Sequence, residues 1–485
     1  MSGSNFIGED LSGADLSGLN LRGVNFSSSN LQDADLSGSD LRYAVFSDAK
    51  ISGADFTDAD LGYADLDNIQ AEKTVFSNAD LRKSDLTSAA LELSDFSDAV
   101  LTHANLTGAD LRETDLSGSD LSNARMRSTD LRFGSLLDAV VKGVDLTGGD
   151  LRDTDMMSCD LEASVLIDTN LRATNFTDSS LRKANLTGSD LEGAELSNTD
   201  LAHATLDGVN LSRTQIRRSN LQNISAFGAD FSQKDLTGND FTSADIRNAD
   251  LNGSELEDID FKDANLYNAD LSSANLQRAK FHRAELVDAD FTGSDLRGTT
   301  FSSVDIRGIR FDGVDLSGDT KFYGFCSEPT NAQEWNVLAE GYEAVRKAFR
   351  QKALDDTHRE LYYLQRKART KEASKNGQWI KYLGNLTSQG LTGYGVRVSY
   401  VLIWTVLLLA SSTAWYSLVG TTGSWTGGSL FYSVSTLVTS APHPPKNLVP
   451  WVPREFTDIV VLTETYVGTL LIVLLGYVLG NRDTI

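Results

Sequence analysis

The stretch Ala14-Asp15-Leu16-Ser17-Gly18 returns almost unchanged as Ala104-Asn105-Leu106-Thr107-Gly108. Stepping by five from Phe6 through Leu11, Leu16, Leu21 and Phe26 reaches Leu316 without an insertion or deletion. Nearly every position on that walk is Leu, Phe, Ile, Val or Met, with Ala71 and Ala226 as the visible lapses. Two residues before each sits a small one, as at Ala34, Ala54, Ala184 and Ala249. The residue between is usually Asp or Asn, as at Asp35, Asn185 and Asp250.

Neither ordinary element can use this period. Five residues turn an α-helix by roughly 500°, which scatters the apolar residues around the axis. In a flat strand, each step of five reverses the face and puts half of the leucines in water. A chain that turns a corner of roughly 90° every five residues points each leucine inward, and four sides close a coil of about 20 residues. The position two before the leucine also faces inward and must be small, because four large side chains already fill the middle. The Asp or Asn faces out or serves the corner, where such side chains hydrogen-bond local backbone.

The pattern Ala-(Asp/Asn)-Leu-x-x resembles the pentapeptide-repeat family over about two thirds of the chain. The resemblance implies an all-β solenoid over residues 1–322, a right-handed quadrilateral β-helix. Roughly 16 coils at about 4.8 Å spacing would make a rod near 75 Å long. Some members of that family are regarded as DNA mimics that bind topoisomerases. The acidity here is compatible with that, but Asp belongs to the repeat itself, so a scaffold or interaction surface is the expected role. Arg217, Arg218, Arg307 and Arg310 interrupt the acidic pattern and are candidate sites or solvated surface charges.

The net charge of −25 is made of −28 in residues 1–316 and +3 in the rest of the chain, which is also more apolar. Such acidity repels nucleic acid and suits a salt-rich cytoplasm. Cys159 and Cys326 are far apart and read as two reduced thiols. The first residues have neither a basic nor an apolar signal region, which places the repeats in the cytoplasm. No phosphate loop, metal cluster or nucleophile–base pair stands out among the five scattered histidines. The expectation is no enzyme, no cofactor and no metal.

After Phe322 the five-residue phase stops, and residues 323–394 read as an amphipathic helical connector. Val337, Leu338, Tyr342, Val345 and Phe349 recur at helical steps in a first helix, expected to seal the open end of the solenoid. Asp355 or Asp356 is expected to cap a second helix. Its basic run Arg366, Lys367, Arg369 and Lys371 suits anionic headgroups or simply solvent.

Residues 395–485 read as a membrane module. The run 398–419 carries no charge, and at 1.5 Å per residue it is about 33 Å long, enough for a bilayer of ~30 Å. A second span is expected at 456–480, with both ends cytoplasmic in the plasma membrane. Between them, residues 427–450 resemble the pore helix and loop of two-helix potassium channels in Tyr432-Ser433-Val434-Ser435-Thr436-Leu437-Val438-Thr439. That resemblance implies a tetrameric pore for monovalent cations, with Glu464, Gly468, Gly476 and Gly480 on an inner helix. The filter departs from it: Ala441-Pro442-His443-Pro444 stands where glycines would let carbonyls face a potassium ion. A wider pore would be lined by Thr436, Thr439, Ser440 and His443. His443 reads as a protonation gate or an exposed loop residue, and Glu464 as a functional acid or a brace behind the pore helix. Two readings therefore stay open: a channel-like tetramer biased by its cytoplasmic solenoid, and a scaffold that two non-conducting helices anchor and oligomerise.

Overall fold

In the computed structural model, residues 3–323, 329–392 and 398–419 are described, together with Val467 and Leu470. They belong to two compact units, Met1–Ser327 and Glu328–Ile485.

The first unit is built on pairing between residue i and residue i+20. Isolated parallel bridges run from Asn5–Asn25 through Asp85–Asn105 to Asp295–Asp315. One pentad shows why the repeat has its composition. Leu106 N donates to Arg125 O at 2.7 Å, Gly108 N to Arg127 O at 2.9 Å, and Asn105 N to Ser84 O at 3.0 Å. Ala104 N closes the preceding turn on Leu101 O at 3.0 Å. The remaining donor, Thr107 N, has no backbone acceptor and goes to Asn105 Oδ1 at 3.3 Å. All five N–H groups are thus satisfied, and the Asp or Asn slot exists to satisfy the last one. Asp15 does the same for Ser17 N at 3.1 Å.

Each corner is a four-residue turn whose third residue has positive φ, the requirement of a type II turn. Gly13 sits there at φ 65°, but so do Asp33 at 54°, Lys83 at 59° and Leu93 at 63°. The inter-coil hydrogen bonds hold these side-chain-bearing residues in a conformation glycine would take without strain.

The core is two concentric sets of side chains. Leucines and phenylalanines such as Leu106, Phe76 and Phe176 are completely buried. Phenylalanines twenty residues apart stack ring on ring: Phe56–Phe76 at 5.0 Å and Phe76–Phe96 at 4.6 Å. Small residues fill the inner slots. In most slots that hold Ser or Thr, the hydroxyl donates to a turn carbonyl, as in Ser84 to Leu81 O at 2.7 Å or Thr154 to Leu131 O at 2.9 Å, and Ser189 is an exception. Cys159 occupies the same slot; burial pushes its thiol up to about 12, so it stays protonated and unreactive. Cys326 lies outside the described residues.

The last coils form a three-stranded parallel sheet, β1 (Lys280–His282), β2 (Thr300–Ser302) and β3 (Lys321–Tyr323). Thr300 pairs with Lys321, one residue beyond the usual spacing, so Phe322 still stacks on Phe301 at 4.3 Å.

The second unit opens with α1 (Ala332–Gln351). Asn331 caps it by accepting from Glu334 N at 3.0 Å, while Glu334 accepts from Thr330 N at 2.8 Å. Its buried face, Trp335, Leu338, Tyr342, Val345 and Phe349, packs on α2 (Asp355–Lys375). Here the sequence expectation is corrected: Leu354 holds the N-cap position of α2, and Asp355 opens the helix itself. An additional helix, α3 (Trp379–Thr392), packs against α2, and α4 (Val398–Val419) against α3.

α4 has the bounds expected of the first span. Its described side chains, at residues 401–411, 413 and 414, extend only about 20 Å. Among the described residues no helix is long and apolar enough to cross a membrane. The expected pair of crossings therefore gains no support from the described structure. The second expected span, 456–480, falls almost wholly outside it.

Candidate interaction surface

Thr436, Thr439, Ser440, Ala441, Pro442 and His443, and on the expected inner helix Glu464, Gly468, Gly476 and Gly480, lie outside the described residues. Among the described residues no group of His, Cys, Asp and Glu is arranged to hold a metal. What the described structure offers is the outside of the coil stack.

Pairing at i+20 converts sequence into vertical columns, so side chains twenty residues apart stand one above the next. Many of the basic side chains on this acidic surface are paired with a carboxylate of their own or a neighbouring coil. Arg132 folds back on Asp130 at 2.6 Å and reaches more loosely to Asp150 of the next coil at 3.8 Å, and Arg152 folds back on Asp150 at 2.7 Å. The guanidinium of Arg42 holds the Asp40 carboxyl below the usual carboxylate range, and the Ser17 hydroxyl does the same for Asp15. Such exposed pairs contribute little stability, but they fix the side chains in place. Three of the singled-out arginines belong to this pattern. Arg217 pairs with Asp235 at 2.7 Å, Arg307 with Asp305 at 2.7 Å and Arg310 with Asp290 at 3.1 Å. Two of these are surface ion pairs, and the third joins Arg307 to a buried carboxylate.

One column differs. Tyr43 and Tyr63, at positive-φ corners, leave about half of their surface exposed and stack at 5.1 Å with 12° between planes. Arg22 lies over the Tyr43 ring at 5.2 Å. Lys83 lies over the Tyr63 ring at 5.1 Å and donates to its hydroxyl at 3.1 Å. The result is a cation–aromatic–aromatic–cation ladder on an otherwise acidic stack. A shorter version recurs where Arg247 lies over exposed Phe227 at 5.7 Å. Sequence periodicity contains most of these columns, since Tyr43, Tyr63 and Lys83 are twenty apart, as are Phe227 and Arg247, while Arg22 reaches Tyr43 from twenty-one residues away.

A second irregularity is internal. Lys234 occupies an inner slot meant for a small residue, and its ammonium reaches Thr214 O at 3.5 Å. Burial lowers its pKa, only partly offset by Asp230. Beside it, the bridges that would join Asn210 to Asp230 and Gln215 to Asp235 are absent among the described residues. Neighbouring inner slots also hold residues larger than alanine, Val209, Ile224 and Asn239. Asn239 wedges into the turn below, donating to Ile216 O at 2.8 Å and accepting from Ser219 N at 2.7 Å.

A family model described as Pentapeptide repeats matches the chain in overlapping and adjacent segments between residues 1 and 318. No curated protein matches. Among solved structures, HetL, a pentapeptide repeat protein involved in heterocyst differentiation regulation from the cyanobacterium Nostoc sp. strain PCC 7120, is 29% identical. That match covers 48% of this chain and 90% of HetL, with a TM-score of 0.20. A pentapeptide repeat protein from the Arabidopsis thaliana thylakoid lumen is 37% identical over 24% of this chain and 71% of its own, with a TM-score of 0.12. Full-length QnrB1, a plasmid-mediated fluoroquinolone resistance protein, is 15% identical over 51% of this chain and 93% of its own, with a TM-score of 0.19.

Proposed function

The chain belongs to the pentapeptide-repeat family, and from that premise we propose that its solenoid is a scaffold that binds a partner protein along its outer columns. The observation that carries this reading is the ladder Arg22–Tyr43–Tyr63–Lys83. Tyrosine and arginine are the residue types that dominate binding energy at protein interfaces, because they bring large rigid area with a polar tip. Here the coil stack has already ordered them, so binding loses little side-chain entropy.

The test uses glycine, since both tyrosines sit at φ 61°, a conformation glycine accepts freely. The double variant Tyr43→Gly, Tyr63→Gly is expected to melt no lower than the parent. In affinity capture from the native cell it is expected to lose at least one protein that the parent retains at equal loading. An identical set of captured proteins for both would remove the ladder from the proposal.

A finer reading, attachment of the helical unit to a bilayer, is favoured by α3 and α4. Trp379, Ile380, Leu383 and Leu386 of α3 are exposed at helical spacing, and α4 has no charged residue. A helix with one apolar face seats in the interface between headgroups and acyl chains. The protein is expected to float with phosphatidylcholine vesicles, and Ile380→Asp with Leu383→Asp to weaken that flotation several-fold. Flotation equal for both, or absent from the parent, would count against the attachment.

A further inference from the structure

The connector helices line a half-open pocket of about 560 Å³ that gathers four cationic side chains. Arg346 comes from α1, Arg366 and Arg369 from α2, and Lys381 from the first turn of α3. Glu372 is the carboxylate among the lining residues, and it is bound to Arg369 at 3.1 Å. The other polar groups on the wall include the side-chain amides of Gln365, Gln378 and Asn385.

The cations are held in place rather than left to wander. Arg366 donates to Asn385 Oδ1 at 2.7 Å, and Arg369 donates to Asn336 Oδ1. The guanidinium of Arg346 lies 5.3 Å over the Tyr362 ring and 3.3 Å from His358 Nε2. An aromatic face and an imidazole nitrogen hold it there, instead of a carboxylate. Its Nε is buried without a hydrogen-bond acceptor. A buried donor left unsatisfied costs free energy that a shift of the guanidinium onto an oxygen anion would recover. Guanidinium groups match the oxygens of a phosphate two at a time, and the pocket volume is that of a small-molecule site.

We propose that this cavity binds a phosphate-bearing anion larger than inorganic phosphate, held by Arg346, Arg366, Arg369 and Lys381. The same chemistry is offered by a soluble polyphosphate compound and by the headgroup of an anionic phospholipid. The proposal does not rest on the membrane reading, because a soluble ligand satisfies it equally.

The experiment uses the full chain in two arms. Calorimetric titration with inorganic pyrophosphate is expected to show saturable binding that weakens as salt is raised. Lys381→Glu, an exposed position on α3 whose replacement leaves the helix core intact, is expected to weaken that binding at least tenfold. Arg346→Gln is expected to do the same, with circular dichroism as the check on folding. The second arm compares vesicles of phosphatidylcholine with vesicles that also contain phosphatidylglycerol. Added retention on the latter, lost in Lys381→Glu, identifies a lipid headgroup; pyrophosphate binding without that added retention identifies a soluble ligand. Absence of binding in both arms, or binding that Lys381→Glu leaves unchanged, overturns the proposal. Flotation on phosphatidylcholine alone is governed by the apolar face of α3, so the two ideas fail separately.

Discussion

Truncating Phe76 to alanine is expected to destabilise the coil stack by about 3–5 kcal/mol, the upper range for removal of a buried aromatic. Phe76 is completely buried, and its ring stacks on Phe56 on one side and Phe96 on the other. Each aromatic pair contributes roughly 0.5–1.5 kcal/mol beyond the area it buries, and one substitution breaks both. The cavity has little chance to close, because Phe76 N donates to Asp95 O while Val75 N donates to Ala54 O, and these bonds set the coil spacing. Urea unfolding followed by circular dichroism reads the change. A loss below about 1 kcal/mol would mean that the walls collapse around the gap and that the stack is softer than its ladder implies.

The opposite sign is expected at Lys234. Replacing it by alanine restores the small residue the slot calls for, and the rungs Asn210–Asp230 and Gln215–Asp235 are expected to form. Each rung carries two backbone hydrogen bonds, so at a net contribution of roughly 0.5–1 kcal/mol per bond a gain of about 2–4 kcal/mol at neutral pH follows. Hydrogen exchange gives a local reading: the amides of Asp230 and Asp235, which make no ladder bond in the parent, should become protected. The pH dependence has a definite direction. Burial lowers the lysine's folded-state pKa below its unfolded value of roughly 10.4, so the unfolded chain holds the proton more tightly. The parent therefore gains stability as pH rises from the lowered value towards the unfolded one, and the variant lacks this contribution. The gap between the two proteins should narrow as pH rises through that window. A constant gap would attribute the effect to volume alone, and no gap at all would show that Lys234 does not open the ladder.

The leucine walk from Phe6 to Leu316 made the solenoid legible, because no other element tolerates a period of five. The role of Asn105 and Asp15 at the corner was legible for the same reason. The positive-φ slot was less so, since Tyr43, Lys83 and Leu93 carry no mark of a left-handed residue; hydrogen bonding between coils imposes the conformation. The arginines at 217, 307 and 310 stood out by charge alone, and ion pairing absorbs them. Lys234 was the stronger signal, a long side chain in an inward slot, readable only once slots are assigned a direction. The cationic cavity draws on three helices, and the spacing of Arg366 and Arg369 could not announce Arg346 twelve residues away from His358. In α3, Gly384 and Gly390 masked the helical spacing of Trp379, Ile380, Leu383 and Leu386. The pore reading depended on residues 427–450 and 456–480, of which only Val467 and Leu470 are described.

Pairing at i+20 also makes the solenoid a graduated shaft. Loss or gain of twenty residues by unequal recombination shortens or lengthens it by one step of about 4.8 Å and leaves every column on its own azimuth. Loss of five residues keeps each leucine inward but rotates everything beyond the cut by a quarter turn. A deletion between Lys83 and Phe227 would therefore swing the second aromatic–arginine patch onto another side without touching either patch. Heredity can reset the angle between the two aromatic patches here in units of a single pentad, with no change to the residues that form them.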